Sequence, residues 1–214
     1  MIKAVICDLD GLLSDTERLH MGAYQEVLAA LGVDLSRDEY IEHWIRNGEG
    51  VATYIEKRRL PLVAAEVRAT KAARYREMIR AEAEAMPEAL PFLRRIQGQR
   101  RLALGSSSIR GDIDVVLEKI AARYFFEVVV SANDVERLKP APDIFMRASE
   151  LLVVEPCHCV VVEDAQKGVE AAYRAGMKCI AVPNEFTLND DFSRARAVVS
   201  SLAEVTVEFI DGLG

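Results

Sequence analysis

Five short, uninterrupted apolar runs constrain this chain more than anything else in it: Ala4-Val5-Ile6, Leu102-Ala103-Leu104, Val128-Val129-Val130, Val160-Val161-Val162 and Ile180-Ala181-Val182. A strand with one wet face alternates apolar and polar residues. A continuous run instead belongs to a strand covered on both faces, as in a parallel sheet. Helical periodicity fills the gaps. Ile113, Val116, Leu117 and Ile120 fall at i, i+3, i+4 and i+7, and Ile144, Phe145, Ala148, Leu151 and Leu152 form a second stripe. Val169 and Ala172 mark another helix, which Gly176 can close in the left-handed conformation. Strand and helix in alternation predict a doubly wound, Rossmann-like α/β fold with a parallel sheet.

One interval breaks that rhythm. Between the first run and Leu102 lie almost a hundred residues with no strand pattern. Tyr24, Val27, Leu28 and Leu31 make an amphipathic helix that Gly32 stops. Ser36 and Glu39 form a capping box, with Leu35 and Tyr40 placed as its hydrophobic staple. The helix that follows carries Ile41, Trp44 and Ile45 on its buried side and ends at Asn47-Gly48. A short helix is expected from Val51 to Arg58. A long one follows from about Leu62 to Met86, where Arg80 and Glu84 can pair across one turn. Residues 16–85 therefore read as an all-helical domain inserted into an α/β core formed by residues 1–15 and 86–214.

Charge and cysteine usage remove several functions. The 214 residues include 27 Lys and Arg against 34 Asp and Glu, a formal net charge of −7, so no overall basic field gathers nucleic acid or anionic lipid. No apolar stretch approaches the roughly 20 residues of a membrane span. The N-terminal residues turn acidic at Asp8 and lack the pattern of a signal peptide. Four cysteines are too few for a secreted disulfide framework, and a reduced cytoplasmic protein with no obligate protein partner is the expectation.

In open α/β sheets ligands bind beyond the carboxyl ends of the strands, so the polar groups that follow each run are the candidates. Asp8, Asp10, Gly11 and Asp15-Thr16 follow the first, and Gly105 and Ser106-Ser107-Ser108 the second. Lys139-Pro140 lies in the loop after the third, and Glu163-Asp164 ends the fourth. So many carboxylates cannot share one edge ionised without a counter-charge. A hard divalent cation resolves the conflict, and Mg²⁺ suits a few carboxylates together with water and phosphate. Ser106 and the N–H groups at the start of its helix offer an anion cradle, and Lys139 a positive point charge. These residue types together suit phosphoryl transfer.

Asp8-Leu9-Asp10-Gly11-Leu12-Leu13-Ser14-Asp15-Thr16-Glu17 resembles the first motif of the haloacid dehalogenase-like superfamily. Leu104-Gly105-Ser106 resembles the second, Lys139-Pro140 the third and Val162-Glu163-Asp164 the fourth. The resemblance spans the chain, with the helical insertion where that family's cap domain enters, and is strongest to the β-phosphoglucomutase and sugar-phosphatase branch. It implies that Asp8 is the nucleophile and forms an aspartyl-phosphate, and that Asp10 is the general acid and then the base. Ser106 and Lys139 hold the phosphoryl group by the same implication. Asp8, Asp164, Glu163 and the Asp10 carbonyl are then the Mg²⁺ ligands.

The insertion is then a mobile lid hinged near Thr16 and Pro87, admitting and excluding water. Its turn with Arg46, Asn47 and Glu49 is the candidate for substrate selection, beside Ser107 and Arg110 in the core. Two departures stand out. Cys7 occupies a position where the family often has Phe, a packing difference. Phosphomutases of this branch also commonly carry a Lys soon after the second-motif serine, where this chain has Ser107-Ser108-Ile109-Arg110. The expectation is a Mg²⁺-dependent phosphatase of a small sugar-phosphate-like metabolite, with a phosphomutase as the alternative and a non-catalytic binding scaffold as the third reading.

Overall fold

The computed structural model describes residues 1–213. They form two compact units, Met1–Asp15 with Glu84 onward, and Thr16–Ala83. The first is the α/β unit. Its strands are β1 (Ala4–Cys7), β2 (Arg101–Gly105), β3 (Val128–Val130), β4 (Cys159–Glu163), β5 (Lys178–Ala181) and β6 (Ala197–Val198). They pair in parallel in the order β3-β2-β1-β4-β5-β6. This is the doubly wound α/β sheet expected from the apolar runs, with one strand more. β6 was invisible because two residues, half-buried Ala197 and exposed Val198, make no apolar run. The fifth run also ends one residue early, since Val182 lies beyond β5.

Helices cover both faces of the sheet because the crossovers between parallel strands need them. On one face α7 (Asp143–Leu152) and α8 (Gln166–Arg174) bury Ile144, Phe145, Ala148, Leu152, Val169 and Ala172 against Ala4, Ile6, Ala103, Val130 and Val161. Leu151 does not belong to that stripe. It is 43% exposed, one residue off the buried face of α7. α6 (Arg110–Lys119) buries Ile113, Val116 and Leu117 as its periodicity predicts. The segments that leave and re-enter this unit are tied together. Ser14 Oγ and the Asp15 N–H donate to the Glu84 carbonyl at 2.9 and 3.1 Å, and the Met86 N–H donates to the Leu13 carbonyl at 2.9 Å.

The second unit is all helical. It contains α1 (Thr16–Ala30), α2 (Arg37–Tyr40) running into a π-helical stretch (Ile41–Arg46), α3 (Val51–Lys57) and α4 (Ala64–Glu82). Gly32 turns left-handed at φ +77° just past α1, the stop its position predicts. The long helix is shorter than the sequence suggested. Ala83 is already extended, at φ −63° and ψ 129°, so Glu84 lies past the helix end and Arg80 has no i,i+4 partner there. Val27, Leu28, Leu35, Tyr40, Ile45, Val51, Tyr54 and Val67 form the core, with Trp44 stacked on Tyr40 at 5.3 Å. His20 is a packed histidine, its ring 3.8 Å from that of Tyr75.

The capping box forms as read. The Glu39 N–H donates to Ser36 Oγ at 3.2 Å, and the Ser36 N–H donates to Glu39 Oε2 at 3.0 Å. Ser36→Ala is expected to cost about 1 kcal/mol of stability, read as a lowered denaturant midpoint, because one orphan N–H loses its acceptor.

Candidate active site

β1 and β4 are neighbours, yet the chain leaves β1 for β2 on one side and β4 for β5 on the other. Such a switch point opens a crevice at the carboxyl ends of the two strands. The register pairs Cys7 with Val162, so the next residues, Asp8 and Glu163, emerge side by side. One oxygen each from Asp8, Glu163 and Asp164 lies within 4.8 Å of the others, and all three residues are buried. Lys139, joined to Pro140 by a cis peptide, donates to Asp8 Oδ1 and, at 2.8 Å, to Glu163 Oε1. Its ammonium also sits 4.6 Å from the centre of the Phe145 ring. Three carboxylates therefore gather at this edge, two of them bridged by the Lys139 ammonium.

The charge is not shared evenly. Burial pushes the Asp8 carboxyl up to about 7, against the pull of Lys139, and the Glu163 and Asp10 carboxylates push it further. Glu163 feels the same burial but has more donors. Lys139 together with the N–H groups of Asp164 and Ala165, both at 2.8 Å on Oε2, holds it below the ordinary carboxylate value. Burial works against the Lys139 charge too, but Asp8 and Glu163 outweigh it and raise its pKa.

A folded-state pKa raised from 3.8 to about 7 means that Asp8 binds its proton more tightly in the folded chain than in the unfolded one. Its contribution to stability is therefore complete below about 3.8 and is lost as pH rises through about 7. In EDTA, the unfolding midpoint of the wild type is expected to fall relative to that of Asp8→Asn across this window. A constant difference between the two would contradict it.

A second cluster lies on the adjoining loops. Asp10 Oδ2 accepts from Ser106 Oγ at 3.0 Å and from Ser108 Oγ at 2.8 Å, while the Ser108 N–H donates to Ser106 Oγ at 3.0 Å. Ser107 Oγ is buried with no hydrogen-bond partner among the described residues. Arg110 is occupied elsewhere. Its Nη2 donates to the Val129 carbonyl at 2.9 Å and lies 3.6 Å from Asp134. The other predicted selectors belong to the helical unit and engage their neighbours there. Arg46 and Asn47 both donate to Glu42 at 3.2 Å, and Glu49 lies 2.8 Å from His43 Nδ1 and accepts from Lys57 at 2.5 Å.

Two residues, Gly168 and Asn184, escaped the sequence reading, and a third, Ser108, is read there only as a polar group after the second run. Ser108 gives Asp10 a second hydroxyl donor. Gly168 makes room for Glu163, because a Cβ there would stand 1.7 Å from Oε1. Asn184 donates from Nδ2 to Asp164 Oδ2 at 2.8 Å and to the Gly11 carbonyl at 3.0 Å. Following the rule of strand ends one run further, past Val182-Pro183, reaches Asn184; no sequence signal marks Gly168.

Known proteins resemble this chain over most of its length. The family described as haloacid dehalogenase-like hydrolase matches residues 5–182. CbbY of Rhodobacter capsulatus is 29% identical over 99% of both chains. The fructose-1-phosphate phosphatase YqaB of Escherichia coli K12 is 31% identical over 83% of this chain and 95% of its own. Among solved structures, a mutant of CbbY from Rhodobacter sphaeroides in complex with xylulose-1,5-bisphosphate superposes with a TM-score of 0.83, at 30% identity over 95% of this chain and 96% of that one. Among the described residues, no helix is long and apolar enough to cross a membrane.

Proposed function

The chain belongs to the haloacid dehalogenase-like hydrolases and is a phosphoric monoester hydrolase, and from that premise we propose a Mg²⁺-dependent phosphatase of a small sugar phosphate that works through an aspartyl-phosphate on Asp8. One observation carries this reading: three buried carboxylates converge at the sheet's switch point, two of them paired with Lys139. These closely set carboxylates, all oxygen donors, fit a hard divalent cation. Asp8, Asp164 and the Asp10 carbonyl would hold it, with Glu163 as a further or outer ligand. When bound, Mg²⁺ supplies positive charge that keeps Asp8 ionised near neutral pH and offsets the charge on the phosphoryl oxygens.

The chain's own residues do the rest. Asp8 attacks phosphorus with a carboxylate oxygen, and the bond to the leaving oxygen breaks. Asp10, which Ser106 and Ser108 orient by hydrogen bonds to one oxygen, gives its proton to that leaving oxygen. Lys139, pinned over the Phe145 ring, and Ser106 steady the transferring group. Asp10 then takes a proton from the water that cleaves the aspartyl-phosphate. The helical unit is proposed as the lid, with Arg46, Asn47 and Glu49 reading the substrate alongside Ser107 and Arg110. The compartment we propose is the cytoplasm, since all four cysteines are unpaired.

The test is phosphate release from a panel of sugar phosphates, including fructose 1-phosphate and xylulose 1,5-bisphosphate, with and without Mg²⁺. Release that needs Mg²⁺ is the expected result. Isomerisation of a hexose phosphate without net release would assign the phosphomutase alternative instead. No turnover on any member would favour the scaffold.

A further inference from the structure

We infer that Asn184 is a positioning residue for the Asp164 carboxylate, locking it in the orientation that a cation needs before any cation arrives. The inference rests on the reading of this site as a Mg²⁺ site and adds a residue to it from a fifth strand end.

Asn184 lies beyond β5, in the connection to β6. Its amide nitrogen has two protons, and each finds a fixed oxygen, one on Asp164 at 2.8 Å and one on the Gly11 carbonyl at 3.0 Å. One side chain therefore joins the tips of β1 and β4, the two strands that flank the crevice. Its oxygen is occupied too, accepting from the Phe186 N–H at 2.8 Å. Rotating the amide by half a turn would set oxygen against two oxygens and NH₂ against an N–H, so a single orientation satisfies every partner.

The turn that carries Asn184 is held in the same way. Its backbone N–H donates to Thr187 Oγ1 at 3.0 Å, and the Thr187 N–H donates to its carbonyl at 3.0 Å. Thr187 is only 2% exposed, so a hydroxyl shielded from water braces the amide from behind. Nor is there slack in front. A Cβ on Gly11 would lie 2.5 Å from Asp164 Oδ2 and 2.6 Å from Asn184 Nδ2. Gly11 stands at φ +82°, a conformation that glycine adopts without strain.

The chemistry of the donor matters. A lysine here would orient Asp164 but cancel charge that the cation requires, and an aspartate would repel it. A neutral amide fixes the plane of the carboxylate, and with it the direction of the second oxygen, while leaving the negative charge in place. Outer partners of metal ligands act in this way, and their loss costs affinity without removing a ligand.

Calorimetric titration with Mg²⁺ alone, on wild type, Asn184→Ala, Thr187→Val and Thr187→Ser, tests this. Asn184→Ala is expected to weaken Mg²⁺ binding about 10- to 100-fold. Thr187→Val should shift it in the same direction by less, and Thr187→Ser, which keeps the hydroxyl, should bind like the wild type. At saturating Mg²⁺, kcat of Asn184→Ala should recover while KM for the sugar phosphate stays near the wild-type value. Unfolding midpoints in EDTA establish which variants fold; if Asn184→Ala does not, the contrast between Val and Ser at 187 decides. Asn184→Ala binding Mg²⁺ within about twofold of a wild type that does take it up would overturn the inference alone. A wild type that takes up no Mg²⁺ would overturn the cation reading as well.

Discussion

Asp8→Asn is expected to abolish phosphate release, lowering kcat by at least about 10³-fold, because the substitution removes the attacking oxygen while keeping the shape of the side chain. The same variant should be more stable than the wild type in EDTA at neutral pH. Asp8 is a buried carboxyl pushed up to about 7, so at that pH the chain bears the cost of partly ionising it beside Glu163 and Asp10. Asparagine carries no such cost. Activity and stability therefore move in opposite directions, as expected where a reactive group is held in a destabilised state. A loss of activity accompanied by a lowered unfolding midpoint would point instead to a damaged fold.

Gly168→Ala should be nearly as damaging, though it lies outside every sequence motif. Inside an exposed helix, alanine in place of glycine adds up to about 1 kcal/mol of stability. In α8 the sign reverses. The new Cβ would stand 1.7 Å from Glu163 Oε1, 2.0 Å from its Cδ and 2.6 Å from its Cγ. Glu163 cannot step aside easily. It is 1% exposed, and its two oxygens are tied to Lys139 and to the N–H groups of Asp164 and Ala165. Forcing it out leaves the buried Lys139 with half its partners. The expected cost is about 3 kcal/mol in unfolding free energy, with kcat/KM down at least about 100-fold as Lys139 and Asp8 lose their placement. Gly111→Ala is the control. A Cβ there meets nothing within 4 Å, so stability should rise by about 0.4–1 kcal/mol. Equal effects at the two positions would contradict this account of Glu163.

What could be read from the sequence, and what could not, follows from how local each signal is. Val160-Val161-Val162 announces a buried strand because every residue in it is apolar, and Ser36 with Glu39 announces a helix start because donor and acceptor lie three residues apart. The ends of elements were less legible. The long helix stops at Glu82 and not near Met86, and no residue there breaks a helix; the Ser14 and Asp15 bonds to the Glu84 carbonyl claim that backbone for the α/β unit. The π-helical winding of Ile41–Arg46 is likewise absent from the apolar spacing, which reads as an ordinary helix.

In the site, Asp8, Lys139, Glu163 and Asp164 were legible because charged residues at strand ends are conspicuous. Asn184 and Gly168 were not. One is a common loop residue and the other a helical glycine, and each acquires meaning only from a partner 20 and 5 residues away in the chain, respectively. Arg110 shows both sides: its charge at a strand end is plain in the sequence, whereas the bond of its guanidinium to the Val129 carbonyl within β3 is not.

The central claim is that an oxygen of Asp8 attacks phosphorus. Acid quenching of a single turnover, with the best substrate of the panel radiolabelled in its phosphoryl group, tests it most directly. The account predicts label that appears transiently on the peptide containing Asp8, in wild type and not in Asp8→Asn, and then passes to free phosphate. Label that reaches free phosphate without ever residing on that peptide, at a rate Asp8→Asn preserves, would contradict it.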